Sequence, residues 1–263
     1  MTLIRNSSRS NAVTILTLDW PELPRHVRAM STTRVGGVSV PPFDDGAQGG
    51  GFNLGVHVGD DPASVRHHRE RLRELLPAEP AWLTQVHGNV VLDAHHVKDA
   101  PCADASVSDQ AGIVCAILTA DCLPVLLCDV SGSVVGAAHA GWRGLAGGVL
   151  QNCVLAMQKK GAGELLAWLG PAIGPQQFEV GSEVVEAFVA NNPSAAAAFL
   201  PRSGAAGKYL ADLYQLARLV LAGQGVSRVA GGTHCTVIEQ DKFYSFRRSG
   251  QTGRMASLIW LDQ

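Results

Sequence analysis

Hydrophobic residues recur along the chain in short runs separated by glycine, proline and polar clusters, a pattern typical of β-strands. Several runs are apolar at every position, which predicts sheets covered on both faces. The predicted strands cover residues 13–18, 81–86, 90–94, 112–118, 123–128, 134–138, 165–169, 226–230 and 256–261.

Longer segments with helical periodicity lie between these runs. Leu145, Val149, Cys153 and Met157 form one apolar stripe and predict a helix over 144–160. A second helix opens at Asp61-Pro62, with proline at its first position, and continues through 63–76. Two more helices are expected over 182–190 and 210–222. The alternation predicts an α+β fold, with layered mixed β-sheets flanked by helices. We expect residues 1–12 to form a flexible arm and residues 13–263 a single domain.

Composition narrows the class of protein. The chain has 263 residues, 46% of them hydrophobic and 17% charged, which is typical of a globular protein. Lysine and arginine number 21 and aspartate and glutamate 23, so no electrostatic reason exists to expect nucleic acid or an anionic membrane as a partner. Six cysteines occur without a C-x-x-C pair, and no apolar stretch near the N-terminus is long enough for a signal peptide. The expected compartment is the reducing cytoplasm.

Three segments place reactive side chains just after predicted strands: TQVHG (84–88), TADCLP (119–124) and AHAGWRG (138–144). Binding sites are often built in such turns. If His87, Cys122 and His139 converge there, they offer three ligands to Zn²⁺ or copper and leave one coordination position open. A metal ion with an open position can activate water. The spacing is not a local metal motif, so three unrelated buried residues are an equally good interpretation.

Two arginines are candidates for binding an anion. Arg143 lies where the third segment leads into a predicted helix, and Arg34 stands among hydroxyl residues and glycines in STTRVGGVS (31–39). Neither segment is a P-loop, and no dinucleotide-binding G-x-G-x-x-G follows a strand. Of the other cysteines, three are expected in the core: Cys115, Cys128 and Cys153. The adjacent histidine pairs at 67–68 and 95–96 are expected at the surface.

Ten ordered blocks make the chain resemble the YfiH family, also called DUF152, polyphenol oxidoreductase laccase or peptidoglycan editing factor. The resemblance covers about residues 18 to 262. The blocks are STTRVGGVSVPPF, FNLGVHVGDDP, WLTQVHGNVV, ADASVSD, TADCLPVLL, AAHAGWRGLAGGVL, AWLGPAIGPQQFEVG, KYLADLYQLAR, FYSFRR and TGRMASLIW. The resemblance implies α/β/β/α layers and assigns the metal ligands to His87, Cys122 and His139. One departure is DDGAQGGG (44–51), which replaces a shorter turn before Asn53.

The resemblance also implies purine nucleoside chemistry: phosphorolysis of adenosine, inosine and S-methyl-5′-thioadenosine, with adenosine deaminase activity. A nucleoside and phosphate would then be the partners, and Zn²⁺ or Cu²⁺ the cofactor. Acid–base and other catalytic roles fall to Asp104, Asp121, Cys122 and Arg143. Substrate and phosphate binding falls to Arg34, Asn53, Gln85 and, again, Arg143. The H-x-E and P-C-x-x-C segments of zinc deaminases are missing.

Three other interpretations remain open at this point. A multicopper laccase needs many histidine ligands, usually in His-x-His pairs, and none of the nine histidines forms such a pair; any copper-dependent phenol oxidation would come from the one small site. A cysteine hydrolase that edits cytosolic peptidoglycan precursors would use Cys122 as nucleophile and His87 or His139 as base. A non-enzymatic interaction module is disfavoured by the clustering of reactive residues at strand ends.

Overall fold

The computed structural model of the chain describes residues 2–3, 12–47 and 49–262. The helices are α1 (Pro62–Arg73), α2 (Trp142–Ala146), α3 (Val149–Lys159), α4 (Ser182–Val189), α5 (Leu213–Gly223) and α6 (Phe246–Ser249), with 3₁₀ turns at Ala94–His96 and Pro193–Ala198. The strands are β1 (Thr2–Leu3), β2 (Thr14–Leu16), β3 (Val27–Thr32), β4 (Val35–Gly37), β5 (Gly50–Gly51), β6 (Val91–Asp93), β7 (Ala105–Ser108), β8 (Cys115–Thr119), β9 (Leu123–Asp129), β10 (Val135–Ala140), β11 (Leu165–Leu169), β12 (Glu179–Gly181), β13 (Phe199–Pro201), β14 (Lys208–Ala211), β15 (Arg228–Gly231) and β16 (Met255–Leu261).

A six-stranded sheet in the order β15-β11-β9-β10-β7-β6 carries the largest core. Successive side chains of a strand point to opposite faces, and β9 follows this rule. Leu123, Val125 and Leu127 pack in one cluster with residues of α3 and α5. Leu126 and Cys128 pack in another cluster, with Ile117 of β8. The sheet is therefore covered on one face by helices and on the other by a second sheet.

The second sheet has five strands in the order β1-β2-β3-β16-β8. Ile117 of β8 faces the six-stranded sheet, whereas Ala116 and Leu118 belong to a cluster that contains Leu72 of α1. The layers are therefore helix, sheet, sheet and helix, as the α+β prediction and its α/β/β/α layering require. Smaller sheets, β12-β14-β13 and β4-β5, lie beside them.

Three local predictions need correction. No strand forms over 81–86, because Ala81 and Thr84 make only isolated bridges. The helix predicted over 144–160 is two helices, because Gly148 adopts φ +93° and breaks it. His68 is buried, not at the surface, because its Nε2 accepts from Val38 N and its Nδ1 contacts Asn53 O. β4 and β5, which the hydrophobic pattern does not predict, lie in the Gly- and Pro-rich stretch after residue 30.

Cys115, Cys128 and Cys153 are fully buried, as predicted. Most of the predicted arm over 1–12 lies outside the described residues. Within 2–3, 12–47 and 49–262, no helix has both the length and the apolar character needed to span a membrane.

Asp129 closes the hairpin between the two central strands. Its buried carboxylate accepts from Ser133 N at 2.6 Å, from Val134 N at 2.8 Å and from the hydroxyls of Ser131 and Ser133. Burial raises the pKa of this carboxyl, but the hydrogen bonds outweigh it and lower the pKa below its usual value of 3.8. Its contribution to stability is therefore complete above the unfolded pKa and is lost as the pH falls through the lower folded pKa.

We expect Asp129→Asn to lower the free energy of unfolding by about 2 kcal/mol at pH 7, since hydrogen bonds to a charged acceptor are lost. The difference from wild type should shrink as the pH is lowered from 4 to 3. Urea unfolding of both proteins across this range measures it. An equal difference at pH 7 and pH 3 would contradict the ionised-carboxylate explanation.

Candidate active site

Two of the three proposed metal ligands are brought together by the register of the central hairpin. Cys122 immediately precedes β9, and His139 lies near the end of β10. The strands are antiparallel, and His139 pairs with Pro124, two residues beyond Cys122. The end of β10 therefore lies beside the start of β9, and both side chains lie at the same end of this central strand pair.

His87 reaches the same end of the strand pair from the loop after residue 84, and its backbone has φ +61°. Its Nε2 lies 3.7 Å from Cys122 Sγ. One ligand atom from each of His87, Cys122 and His139 lies within 4.8 Å of the others. Gly141 leaves room for this approach, because an added Cβ there would make tight contacts of 3.0 Å with both Cys122 Sγ and His87 Cδ2. The hypothesis of three unrelated buried residues does not describe this arrangement.

The cluster favours a thiolate beside an imidazolium. Burial raises the pKa of the Cys122 thiol, but the imidazoles of His139 and His87 outweigh it and lower the pKa to about 6. Burial lowers the pKa of His139, but the Cys122 thiolate and Asp104 outweigh it, so the pKa is raised. The cluster is thus anionic sulfur beside positive nitrogen in the metal-free protein, and a cation that replaces the protons would meet one negative and two neutral ligands.

The donor set fits a small tetrahedral metal ion. Zn–N and Zn–S bonds of about 2.0–2.3 Å place neighbouring ligand atoms about 3.3–3.8 Å apart. The Cys122 Sγ–His87 Nε2 distance of 3.7 Å falls in this range, and no separation in the cluster exceeds 4.8 Å. Two imidazoles and a thiolate suit zinc and copper alike.

The cluster lines a cavity of about 350 Å³, within the usual size range of small-molecule sites. Three arginines also line it, Arg143, Arg247 and Arg254. Three aromatic side chains, Trp142, Phe178 and Phe246, add large apolar surfaces. The cavity therefore offers a planar apolar surface, positive charge and a metal-binding cluster to one molecule.

Arg254 is the best placed of the three arginines to bind an anion. It is half-buried, and burial lowers its pKa, an effect that the nearby Cys122 and Asp121 oppose. Its Nη1 donates to Thr252 O at 2.9 Å and Gly253 O at 3.0 Å. Among the described residues, no hydrogen-bond acceptor is found for its Nε or Nη2. These donors are available to an anion in the cavity.

Three of the sequence-predicted residues line the cavity in addition to the ligands. Arg143 is exposed and its guanidinium lies 4.4 Å from the centre of the Trp142 ring. Gln85 is bonded through both side-chain atoms to the backbone of Leu118, each at 2.8 Å. Asp121 accepts from Thr236 Oγ1 and Arg247 N, both at 2.6 Å. Their catalytic or binding roles stay predictions.

Three other predicted residues do not line the cavity. Arg34 is buried and donates to Asp44 O and Gln240 O. Asn53 is buried behind Arg254, where its Oδ1 accepts from Arg254 N at 2.8 Å. Asp104 is fully buried against the backbone of the His87 loop. The roles predicted for these residues, substrate binding by Arg34 and Asn53 and acid–base chemistry by Asp104, also stay predictions. The contacts described here are hydrogen bonds to the protein backbone.

Five charged or aromatic cavity residues lie outside the three reactive segments that the sequence indicated. His57 lies in the block FNLGVHVGDDP, Phe246 and Arg247 lie in FYSFRR, and Arg254 lies in TGRMASLIW. Phe178 belongs to AWLGPAIGPQQFEVG. The sequence blocks could have indicated these residues, since each block carries a charged or aromatic residue whose role no local pattern explains.

The chain matches the sequence model of the family described as "Multi-copper polyphenol oxidoreductase laccase" over residues 28–262. It is 54% identical over 247 residues to a purine nucleoside phosphorylase of Pseudomonas aeruginosa, covering 94% of this chain and 98% of that protein. It is 52% identical over 245 residues to the purine nucleoside phosphorylase YfiH of Escherichia coli, covering 92% and 96%.

Solved structures agree with these sequence relatives. A Neisseria meningitidis protein described as a DUF152 family member superposes with a TM-score of 0.87 at 51% identity, covering 95% of this chain and 99% of that one. YlmD from Geobacillus stearothermophilus gives a TM-score of 0.82 at 32% identity, covering 99% of each chain. From its sequence, its layers and its relatives, the chain belongs to the YfiH (DUF152) family, whose sequence model is described as a polyphenol oxidoreductase laccase.

Proposed function

We propose that this protein is a purine nucleoside phosphorylase that acts on adenosine, inosine and S-methyl-5′-thioadenosine. The observation that carries the proposal is that one cavity contains the His87–Cys122–His139 cluster, arginines with free donors and aromatic side chains. Relatives named purine nucleoside phosphorylases at 52–54% identity support it. The cavity is of a size suited to a small molecule.

Phosphorolysis breaks the bond between C1′ of the ribose and the purine nitrogen and forms a bond from C1′ to a phosphate oxygen. The bonding electrons and one proton pass to the departing purine. Arg254, with Arg143, binds the phosphate dianion and holds it near C1′, which lowers the entropic cost of the reaction. Trp142, Phe178 and Phe246 offer surfaces on which a purine ring can stack.

His87, Cys122 and His139 would hold Zn²⁺ or Cu²⁺. When bound, the metal supplies Lewis acidity at an open coordination position. Cys122 contributes the negative charge that makes the cluster a cation site, and Gly141 leaves room for the ligands to approach each other. Adenosine deaminase activity, in which water displaces the purine amino group as ammonia and leaves a carbonyl oxygen in its place, is proposed as a second activity of the same cavity.

Laccase-like phenol oxidation is proposed only as a side activity of copper in this site. Multicopper oxidation needs several copper ions. Between residues 12 and 262, Gln48 apart, His87–Cys122–His139 is the one group of three or more His, Cys, Asp or Glu side chains close enough to hold a metal ion. We also propose a cytoplasmic location, since all six cysteines are free. The proposed partners are a nucleoside and phosphate, without nucleic acid or membrane.

The direct test incubates purified protein with each of the three nucleosides, with and without phosphate. We expect free purine base and ribose 1-phosphate (5-methylthioribose 1-phosphate from S-methyl-5′-thioadenosine) to form in equal amounts, and only when phosphate is present. Inosine formed from adenosine would report the deaminase activity. Base release that does not depend on phosphate, or no base release from any nucleoside, would contradict the proposed phosphorylase.

Metal removal separates this proposal from a cysteine hydrolase in which Cys122 attacks a peptidoglycan precursor. We expect a chelator to abolish phosphorolysis and added Zn²⁺ to restore it, because the cluster without a metal lacks its Lewis acid. Metal content and base release are measured together through the cycle. A hydrolase would keep its activity after chelation and lose it to iodoacetamide, with or without metal.

A further inference from the structure

We propose that Asp104 is a positioning residue that holds both histidines of the cluster, one by its ring and the other by its backbone. Its consequence for turnover rests on the proposed function, but its consequence for metal binding does not. This role differs from acid–base catalysis, because the carboxylate does not line the cavity and is fully buried.

Four N–H groups converge on the Asp104 carboxylate. Oδ1 accepts from His139 Nδ1 at 2.8 Å and from His87 N at 2.9 Å. Oδ2 accepts from Gly88 N at 2.7 Å and from Val86 N at 3.2 Å. A carboxylate has about four lone-pair sites, so these donors fill it. The Asp104 carboxylate therefore has no free lone pair with which to accept a proton from a reacting molecule.

The contact with His139 fixes which ring nitrogen faces the cluster. A carboxylate can only accept, so His139 Nδ1 carries a proton, and Nε2 is the ring nitrogen left to bind a metal ion in place of its own proton. The residue is also held by its backbone, since His139 N donates to Asp104 O at 2.7 Å. A histidine ligand is oriented toward a metal by a hydrogen bond from its other ring nitrogen, here the bond from Nδ1 to Asp104.

The contact with the loop fixes His87. Its φ of +61° is uncommon for a residue with a side chain and costs free energy. Three successive N–H groups, of Val86, His87 and Gly88, turn inward around one carboxylate, as in backbone anion nests. The same carboxylate thus stabilises the conformation that aims His87 at Cys122, so both ligands depend on one residue.

The test is Asp104→Asn, because an amide keeps the size of the side chain but replaces one acceptor oxygen by a donor. Whichever way the amide turns, two of the four N–H groups lose an acceptor. We expect the affinity for Zn²⁺, measured by calorimetry on metal-free protein, to fall about 10–100-fold. Unchanged Zn²⁺ affinity would overturn the proposal.

Asp129→Asn is the matched control, since Asp129 is also a buried carboxylate that accepts from backbone N–H groups, but at the other end of the hairpin. It should bind Zn²⁺ as wild type does. An equal loss of Zn²⁺ affinity in both variants would assign the effect to general destabilisation and overturn the proposal.

A measurement on the wild-type protein does not depend on either variant folding. In metal-free protein, ¹⁵N spectra of the imidazoles should show His139 protonated at Nδ1, and hydrogen exchange should show protected amides at His87 and Gly88. Rapid exchange of both amides, or a His139 ring without a proton on Nδ1, would overturn the proposal. None of these readouts involves a nucleoside, so they fail or succeed independently of the proposed phosphorylase activity.

Discussion

Cys122→Ala is expected to lower kcat/KM for adenosine phosphorolysis by at least about 10³-fold, equivalent to about 4 kcal/mol of transition-state stabilisation. The substitution removes the only anionic ligand of the cluster and leaves two imidazoles. Metal content and turnover should therefore be lost together. They are measured on the same preparation, by elemental analysis and by base release with saturating phosphate.

Cys102→Ala is the matched control, because Cys102 is an exposed free thiol that does not line the cavity. It should keep both metal and activity. Full activity in a metal-free Cys122→Ala protein would contradict the metal-dependent phosphorylase. Full activity with metal still bound would instead remove Cys122 from the ligand set.

Arg254→Gln is expected to weaken phosphate use about 10²-fold, seen chiefly as a higher KM for phosphate. Charge-assisted hydrogen bonds contribute about 1.5–3 kcal/mol each, and Arg254 has donors free for an anion in a partly buried position. Arg254→Lys keeps the positive charge and should recover part of the loss. Initial rates at varied phosphate and fixed adenosine separate KM from kcat.

Arg28→Gln serves as the control for loss of a guanidinium, since Arg28 forms an exposed ion pair with Asp262 at the protein surface. It should leave the KM for phosphate unchanged. A KM for phosphate that is the same in Arg254→Gln and wild type would assign the phosphate to other residues, and Arg143 would then be tested in the same way.

The layered fold was predictable because its central strands are strongly apolar. Residues 123–128 and 165–169 have the length and composition of buried strands, and both form strands. Strands rich in small polar residues escaped prediction. In β7, Ser106 and Ser108 are fully buried although hydroxyl residues do not register as hydrophobic. The backbone hydrogen bonds of the sheet, which no sequence pattern displays, decide the structure there.

The candidate site was predictable in part for a related reason. Cys122 and His139 follow or end apolar strands, and the antiparallel pairing of β9 and β10 brings strand ends together. Arg254 and His57 come from segments far away in the chain that only tertiary packing brings to the cavity. Asp104 looked like an acid–base candidate because a sequence shows the type of a side chain but not the four donors that surround it.

The register of β9 against β10 has a consequence for how this cavity can diversify. Cys122 and His139 are fixed to the rigid centre of the six-stranded sheet, whereas Phe246 and Arg247 belong to a four-residue helix at the rim. A change at the rim alters what fits against the cluster without shifting the spacing of the ligands. Strand register thus sets the spacing of two ligands, and side chains outside the sheet set the shape of the space beside them.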